Sequence, residues 1–143
     1  MSEEVAMQKP IFSILRLPRI PGFMVPGVMY DHRTLTEGVP FAVTGEHPDK
    51  HIPKGIHRCV STMYHRGGYP TFEILVDDRI RILYHKLNDP FKESEGCIGI
   101  AEYFGEVLGR LVIGDSKGGF NEFMQRAKGY NEFLLEIKEG IFA

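Results

Sequence analysis

One stretch of the sequence decides the class of fold: Thr71-Phe72-Glu73-Ile74-Leu75-Val76, then Asp77-Asp78, then Arg79-Ile80-Arg81-Ile82-Leu83-Tyr84-His85. In its first part Phe72, Ile74 and Val76 alternate with other residues, which places them on one face of a strand. The two aspartates form a tight connection, and the last part returns as a second strand with His85 pointing away from its more apolar face. The pattern predicts paired β-strands.

Similar β-rich runs occur along the whole chain and indicate a mostly β protein. Sixteen glycines and nine prolines interrupt the sequence, which suits many short strands better than a few long helices. One helix is expected to open and be capped at Ser116, because Phe120, Phe123 and Ala127 recur at helical spacing. We predict a β-sandwich or half-barrel with this helix in the C-terminal region, or an α+β protein if the helix is counted. Further predicted strands are 11–17, 28–30, 39–44, 56–64 and 131–138, with a short apolar piece at 97–100.

Length and composition fit a single globular domain. The chain has 143 residues, of which 43% are hydrophobic and 25% charged. A chain of this size buries roughly two thirds of the surface that it exposes when unfolded. We expect one domain over residues 1–143, with residues 1–10 forming a flexible N-terminal tail.

Charge and hydropathy argue against two classes of partner. The net charge is −2, and the densest basic cluster, Arg79-Ile80-Arg81, is too small to follow a phosphate backbone. No apolar run approaches the ~20 residues that span a bilayer. The acidic start Met1-Ser2-Glu3-Glu4 lacks the features of a signal peptide. We expect no nucleic-acid partner, no membrane span and synthesis in a cytoplasm without a signal peptide.

Cys97 and His85 are the candidate catalytic residues. A thiol nucleophile needs an exposed turn and a base from another element, and Cys97 follows Gly96 while His85 ends a predicted strand. Ser94 and Asn88 lie between them and are candidates for orienting the histidine or a substrate. The structural alternatives are a buried apolar cysteine, a boundary histidine and two turn-forming loop residues. No cofactor is expected.

The two cysteines, Cys59 and Cys97, are too few for a disulfide framework, and a reduced pair is the expected state. Zinc is the rival chemistry, because histidines cluster near Cys59. No metal site is predicted, since the cluster lacks the paired spacings that zinc sites use. Its members are His47, His51, His57, Cys59 and His65.

Four segments, in order, resemble a phage- and prophage-associated domain family of unknown function. Members carry a histidine followed by Gly-Asn and then an Asp-Thr-x-Gly-Cys-Ile block. Here His85-x-x-Asn88 and Ser94-x-Gly96-Cys97-Ile98 stand in that order. The other matching segments are 41–46, 51–57 and 114–120, so the resemblance spans roughly residues 11–138.

The Ser94-x-Gly96-Cys97 core also resembles the active-site motif of L,D-transpeptidases, which rejoin peptidoglycan stem peptides through a cysteine acyl-enzyme. The resemblance implies an L,D-transpeptidase-like fold with Cys97 as nucleophile, His85 as base, and Ser94 and Gly96 as shaping residues. The chain departs from the motif at Glu95, where those enzymes have histidine, and at Gly99, where they have arginine. Glu95 is expected to raise the pKa of the neighbouring thiol by like-charge repulsion.

These resemblances imply two functions. One is a phage-encoded virion or accessory protein that is not catalytic and whose partners are other phage structural proteins. The other is a cysteine-dependent amide hydrolase or transpeptidase that acts on peptidoglycan. For the first, the apolar segment 21–26 is either an attachment segment or a packed edge loop.

Overall fold

The computed structural model describes residues 2–140 and shows a mostly β protein, with 48% strand and 14% helix. The predicted class of fold is confirmed. In chain order the described elements are α1 (Glu3–Ala6), β1 (Pro10–Arg16), β2 (Val25–Asp31), β3 (Val39–Glu46), β4 (Gly55–Tyr64), β5 (Tyr69–Ile74), β6 (Tyr84–His85), α2 (Pro90–Glu93), β7 (Ile98–Ala101), β8 (Tyr103–Val107), β9 (Arg110–Gly114), α3 (Ser116–Arg126) and β10 (Glu132–Glu139).

Eight of the described strands form one nearly closed sheet in the order β5-β4-β10-β1-β2-β3-β7-β6. Neighbouring strands are antiparallel, except that β1 with β10 and β6 with β7 are parallel. The two edges meet, because the Ile74 N–H donates to the Ile82 carbonyl at 2.7 Å and the Thr71 hydroxyl donates to the Tyr84 carbonyl. The sheet therefore curls towards a barrel, as in the half-barrel alternative.

Helix α3 supplies the aromatic centre of the core. The Phe123 ring is fully buried and lies 4.6 Å from the Tyr84 ring and 5.5 Å from the Phe12 ring, measured between centroids. Gly119 lets the helix approach β7, because a Cβ there would come within 2.4 Å of the Ala101 backbone. The helix thus packs directly on the strand that follows the candidate nucleophile.

The predicted strand from Arg79 to His85 is wrong in extent. Only Tyr84 and His85 are in a strand, and both Asp78 and Arg81 have positive φ values, 63° and 58°, which no extended strand accommodates. The side chain of Ile80, expected on the apolar face, is 86% exposed. Segment 79–83 is therefore an irregular connection with one bridge to β5, between Leu83 and Glu73, and one to Val76 just after β5.

The N-terminal segment also differs from expectation. Residues 1–10 were expected to form a flexible tail, but α1 and the start of β1 lie within this range, and Ala6 is fully buried in the core. The Glu3 carboxylate accepts hydrogen bonds from the backbone N–H groups of Asn131 and Glu132. These contacts fix the first residues against β10.

Helix α3 begins at Ser116 as predicted, but Ser116 does not cap it. The cap is Asp115, whose side chain accepts from the Gly118 N–H. The Ser116 hydroxyl instead accepts from the Leu87 N–H and donates to the Ile100 carbonyl. It therefore links β7 to the chain after β6.

Segment 21–26 is largely packed against the protein. Met24 and Val25 are buried, and the Arg110 guanidinium lies 4.7 Å from the Phe23 ring centroid. Of the two alternatives, an attachment segment and a packed edge loop, this packing fits the packed edge loop. Among residues 2–140, no helix has the length and apolar character to cross a bilayer.

Candidate functional site

Cys97 and His85 line one surface cleft of about 340 Å³. The parallel pairing of β6 with β7 brings them together, since it sets His85 opposite Gly99 and leaves Cys97 beside the residue that precedes β6. The other residues of the cleft are Tyr64, His65, Arg66, Arg81, Leu83, Glu93 and Glu95. The two residues that the sequence singled out thus line one cleft, although His85 lies in β6 and Cys97 in the turn before β7.

The His85 imidazole is buried against the edge of Tyr64. It is 9% exposed, and the two ring centroids lie 5.2 Å apart with planes at 83°. Burial lowers the pKa of His85, and the nearby Glu93 carboxylate only partly opposes this effect. The imidazole is therefore neutral at neutral pH, the state in which a histidine accepts a proton.

The Cys97 thiol is half-buried and held by the backbone. The Leu83 N–H donates to Sγ at 3.4 Å, and Sγ donates to the Arg81 carbonyl at 3.6 Å. Burial raises the pKa of Cys97, while the Leu83 hydrogen bond and the charges of Arg79 and Arg81 act in the opposite direction without reversing it. The resting group is thus a thiol rather than a thiolate.

The turn that carries Cys97 is shaped by Ser94 and Gly96. The buried Ser94 hydroxyl donates to the Cys97 carbonyl at 2.7 Å and accepts from the Gly96 N–H at 3.1 Å. Gly96 has φ +130°, a conformation that side chains rarely adopt. Both residues therefore position the thiol without lining the cleft.

Arg79 fastens this turn to the neighbouring loop, a role that sequence reasoning missed. Its guanidinium donates to the Glu95 carbonyl and to the Lys50 carbonyl, each at 2.8 Å. It also fills the space where a Cβ on Gly96 would lie, 1.9 Å from Nη2. No local spacing in the sequence relates Arg79 to Gly96. In the sequence Arg79 is recognisable only as part of the basic cluster Arg79-Ile80-Arg81.

Glu95 does not act on the thiol as expected. Its carboxylate accepts from the Lys50 ammonium at 2.7 Å, and this hydrogen bond lowers the pKa of Glu95. The cause of the raised pKa of Cys97 is burial. The explanation by like-charge repulsion is therefore wrong, although the direction of the shift is as expected.

Asn88 lies outside the cleft. Its N–H donates to the Glu93 carboxylate at 3.0 Å and its carbonyl accepts from the Ile113 N–H at 2.8 Å. Asn88 lines a different groove, beside β8 and β9. The structure thus associates Asn88 with α2 and β9, and not with the imidazole of His85.

Cys59 is a free thiol, like Cys97, and is buried in the core next to the Tyr84 hydroxyl at 3.3 Å. Burial raises the pKa of Cys59 to about 12. Within residues 2–140, no three histidine, cysteine or carboxylate side chains converge in a way that could hold a metal ion.

Comparison with known proteins adds no relative. No family model matches the chain, and neither a curated protein nor a solved structure is significantly similar to it. The function is therefore argued from the fold and the Cys97 cleft.

Proposed function

We propose that the protein is a phage-encoded virion or accessory protein, built on an L,D-transpeptidase-like scaffold, whose Cys97 cleft no longer transfers acyl groups. One observation carries the loss of catalysis: Sγ of Cys97 is held between the Leu83 N–H and the Arg81 carbonyl as a thiol of raised pKa. The thiolate is the reactive form of cysteine, so this environment works against a nucleophile. The ordered resemblance of four sequence segments to a phage-associated family supports the assignment to a phage.

The altered motif supports the same proposal. At position 95 this chain has a glutamate where the transpeptidase motif has histidine, and its carboxylate accepts a hydrogen bond from the Lys50 ammonium. At position 99 this chain has a glycine where the motif has arginine. A Cβ added at Gly99 would lie only 2.5 Å from the Leu87 side chain. Any side chain at position 99 would displace core side chains, so a substrate-anchoring arginine has no room there.

Purified phage particles test the proposal. We expect this chain in intact particles at a fixed copy number, and we expect Cys97→Ala to leave particle yield and infectivity unchanged. The chain's absence from particles of a phage that encodes it, and from assembly intermediates, would overturn the assignment.

A second function, a cysteine-dependent peptidoglycan amide hydrolase or transpeptidase, is favoured by one observation: a neutral His85 and Cys97 line the same cleft. In that reaction the thiol proton moves to His85 while Sγ attacks the amide carbonyl carbon. The leaving amine takes the proton back from His85, and a thioester remains. Water or an acceptor amine then releases the acyl group and restores the thiol.

Purified sacculi distinguish the two functions. The catalytic function requires that the wild-type protein release or exchange stem peptides and that both Cys97→Ala and His85→Gln abolish this activity. Equal, background-level release by wild type and Cys97→Ala, with both proteins folded, supports the non-catalytic function.

A further inference from the structure

The hairpin of β8 and β9 is a second feature that the sequence did not predict. It forms a separate two-stranded sheet, and its β8 side chains are largely exposed. Tyr103 is 56% exposed and Val107 is 58% exposed, and they lie on one face because they are four residues apart on a strand. At the turn Leu108 is 99% exposed. In the part of the chain that the structure describes, this hairpin therefore presents apolar side chains to solvent.

The backbone of β8 has an open edge. Val107 pairs with Arg110 across a two-residue loop, so the pair next to the turn is hydrogen-bonded and every second residue points its backbone groups outward. On β9 the outward Ile113 N–H is taken by the Asn88 carbonyl. On β8 the outward residues are Phe104 and Glu106, and between residues 2 and 140 no backbone group accepts from their N–H groups. Within the described residues, the β8 edge of the hairpin is therefore free to add a strand.

We propose that β8 pairs antiparallel with β8 of a second copy of this chain, about a two-fold axis at Gly105. In this register Phe104 lies opposite Glu106 of the second copy. The outward N–H and carbonyl groups of these two residues then bond to each other. The hairpins of the two copies become one four-stranded sheet.

The side chains favour a second copy as the occupant of this edge. The same two-fold axis sets Tyr103 opposite Val107 of the second copy, twice, and aromatic with β-branched pairs stabilise antiparallel strands. Two of the three exposed apolar positions of β8 are thus covered by one operation, while the third, Phe104, lies opposite Glu106 of the second copy. Gly105 removes side-chain bulk at the axis, where the two strands approach most closely.

One charge opposes this pairing and gives it a signature. The two Glu106 side chains lie on one face at diagonal positions, roughly 7–8 Å apart. Their repulsion weakens the dimer and is screened by salt. Higher ionic strength is therefore expected to strengthen association, and Glu106→Gln is expected to strengthen it at low salt.

A cysteine at the axis tests the register. A Cβ added at Gly105 meets nothing closer than 3.6 Å, so Gly105→Cys is compatible with the fold. Across the axis the two Cα atoms are expected about 4.5 Å apart, within the range of a disulfide. We expect oxidation to link two copies through position 105, identified by peptide mapping. Val107→Cys is the matched control, because its opposite residue is Tyr103 and not a second Val107. Cross-linking of both variants to the same extent, or of neither, would contradict the proposed register.

Sedimentation equilibrium tests the dimer itself. We expect the wild type to dimerise reversibly and Val107→Lys to raise the dissociation constant about tenfold or more, since the change occurs twice at the interface. Ile56→Lys is the matched control, because Ile56 on β4 is also 58% exposed, and it should leave dimerisation unchanged. A wild-type protein that stays monomeric into the millimolar range overturns the proposal. If Val107→Lys nevertheless prevents incorporation into particles, the β8 edge binds a strand of a different protein.

Discussion

Gly96 is the residue on which the geometry of the Cys97 turn depends most. Its φ of +130° and the Arg79 guanidinium beside it leave no place for a side chain. The sequence revealed the glycine through the Ser94-x-Gly96-Cys97 spacing. It could not reveal Arg79, because the contact joins residues that no local pattern relates. At this scale the reactive residue types were predictable and the group that holds them was not.

Replacing Gly96 by alanine is expected to destabilise the protein more than the same change at Gly55. Gly55 has a similar φ of +124° but open space around its Cβ position. Gly55→Ala should cost about 1–2 kcal/mol from backbone strain alone. Gly96→Ala should cost about 1–2 kcal/mol more, because Arg79 must leave two carbonyl groups. Urea denaturation measures both, and equal costs would show that Arg79 does not constrain this turn.

The buried imidazole of His85 makes stability depend on pH. Its folded-state pKa lies below the ordinary value of 6.5, so the unfolded chain binds the proton first as the pH falls. The stability conferred by the neutral ring is fully present above pH 6.5 and is lost as the pH falls from there through the folded-state pKa. Denaturation at pH 7.5 and pH 5 should show a larger loss for wild type than for His85→Gln. Identical losses would contradict this assignment.

At the scale of elements, alternation predicted the long strands and failed where the backbone leaves the β region. The strand predicted over 131–138 is present as β10, with Phe133, Leu135 and Ile137 buried. The strand predicted over 79–85 is broken because Asp78 and Arg81 adopt positive φ values, although neither is glycine. Strand β8 of the β8–β9 hairpin escaped prediction because its apolar side chains are largely exposed, whereas Val112 and Ile113 of β9 are buried. Periodicity reports burial, and it fails where burial is absent.

The turn of that hairpin provides a stability prediction. Leu108 has φ +50° and Gly109 has φ +77°, the conformation that Asn-Gly adopts best between paired strands. Leucine is strained there by about 1–2 kcal/mol. Leu108→Asn should therefore raise the free energy of unfolding of the dilute protein by about 1 kcal/mol. Leu108→Ala is the control and should bring little gain, and equal effects of the two changes would argue against strain at this turn.

At the scale of the whole molecule, the order of the strands in the sheet could not be predicted from the sequence. The mostly β class and the single well-formed helix followed from composition and periodicity. The parallel pairing of β1 with β10 joins segments far apart in the chain. The parallel pairing of β6 with β7 involves a strand of minimal length, β6. No repeat or turn signal marks such pairs. The pairing of β6 with β7 nevertheless determines the site, because it sets His85 close to the turn that carries Cys97.

A buried ion pair links the end of β1 to the end of β3, and its arginine also binds the loop after β3. The Arg16 guanidinium binds the Glu46 carboxylate through two hydrogen bonds, 2.7 and 2.9 Å, and also donates to the Ile52 carbonyl. Their side chains are 3% and 0% exposed. Arg16→Met leaves a buried carboxylate unpaired and should cost about 3–5 kcal/mol in chemical denaturation. The double variant Arg16→Met with Glu46→Leu should recover most of that loss, and a double variant as unstable as the single one would contradict this explanation.

The proposed function requires that Cys97 is not an activated nucleophile, and the pH dependence of its alkylation measures this. Rates of labelling at Cys97, resolved from Cys59 by peptide mass, give the apparent thiol pKa in the folded protein. We expect a value above the ~8.5 of a free cysteine, and still slower labelling of the fully buried Cys59. A Cys97 pKa well below ~8.5 that rises on His85→Gln would instead establish an activated cysteine–histidine pair and overturn the proposed function.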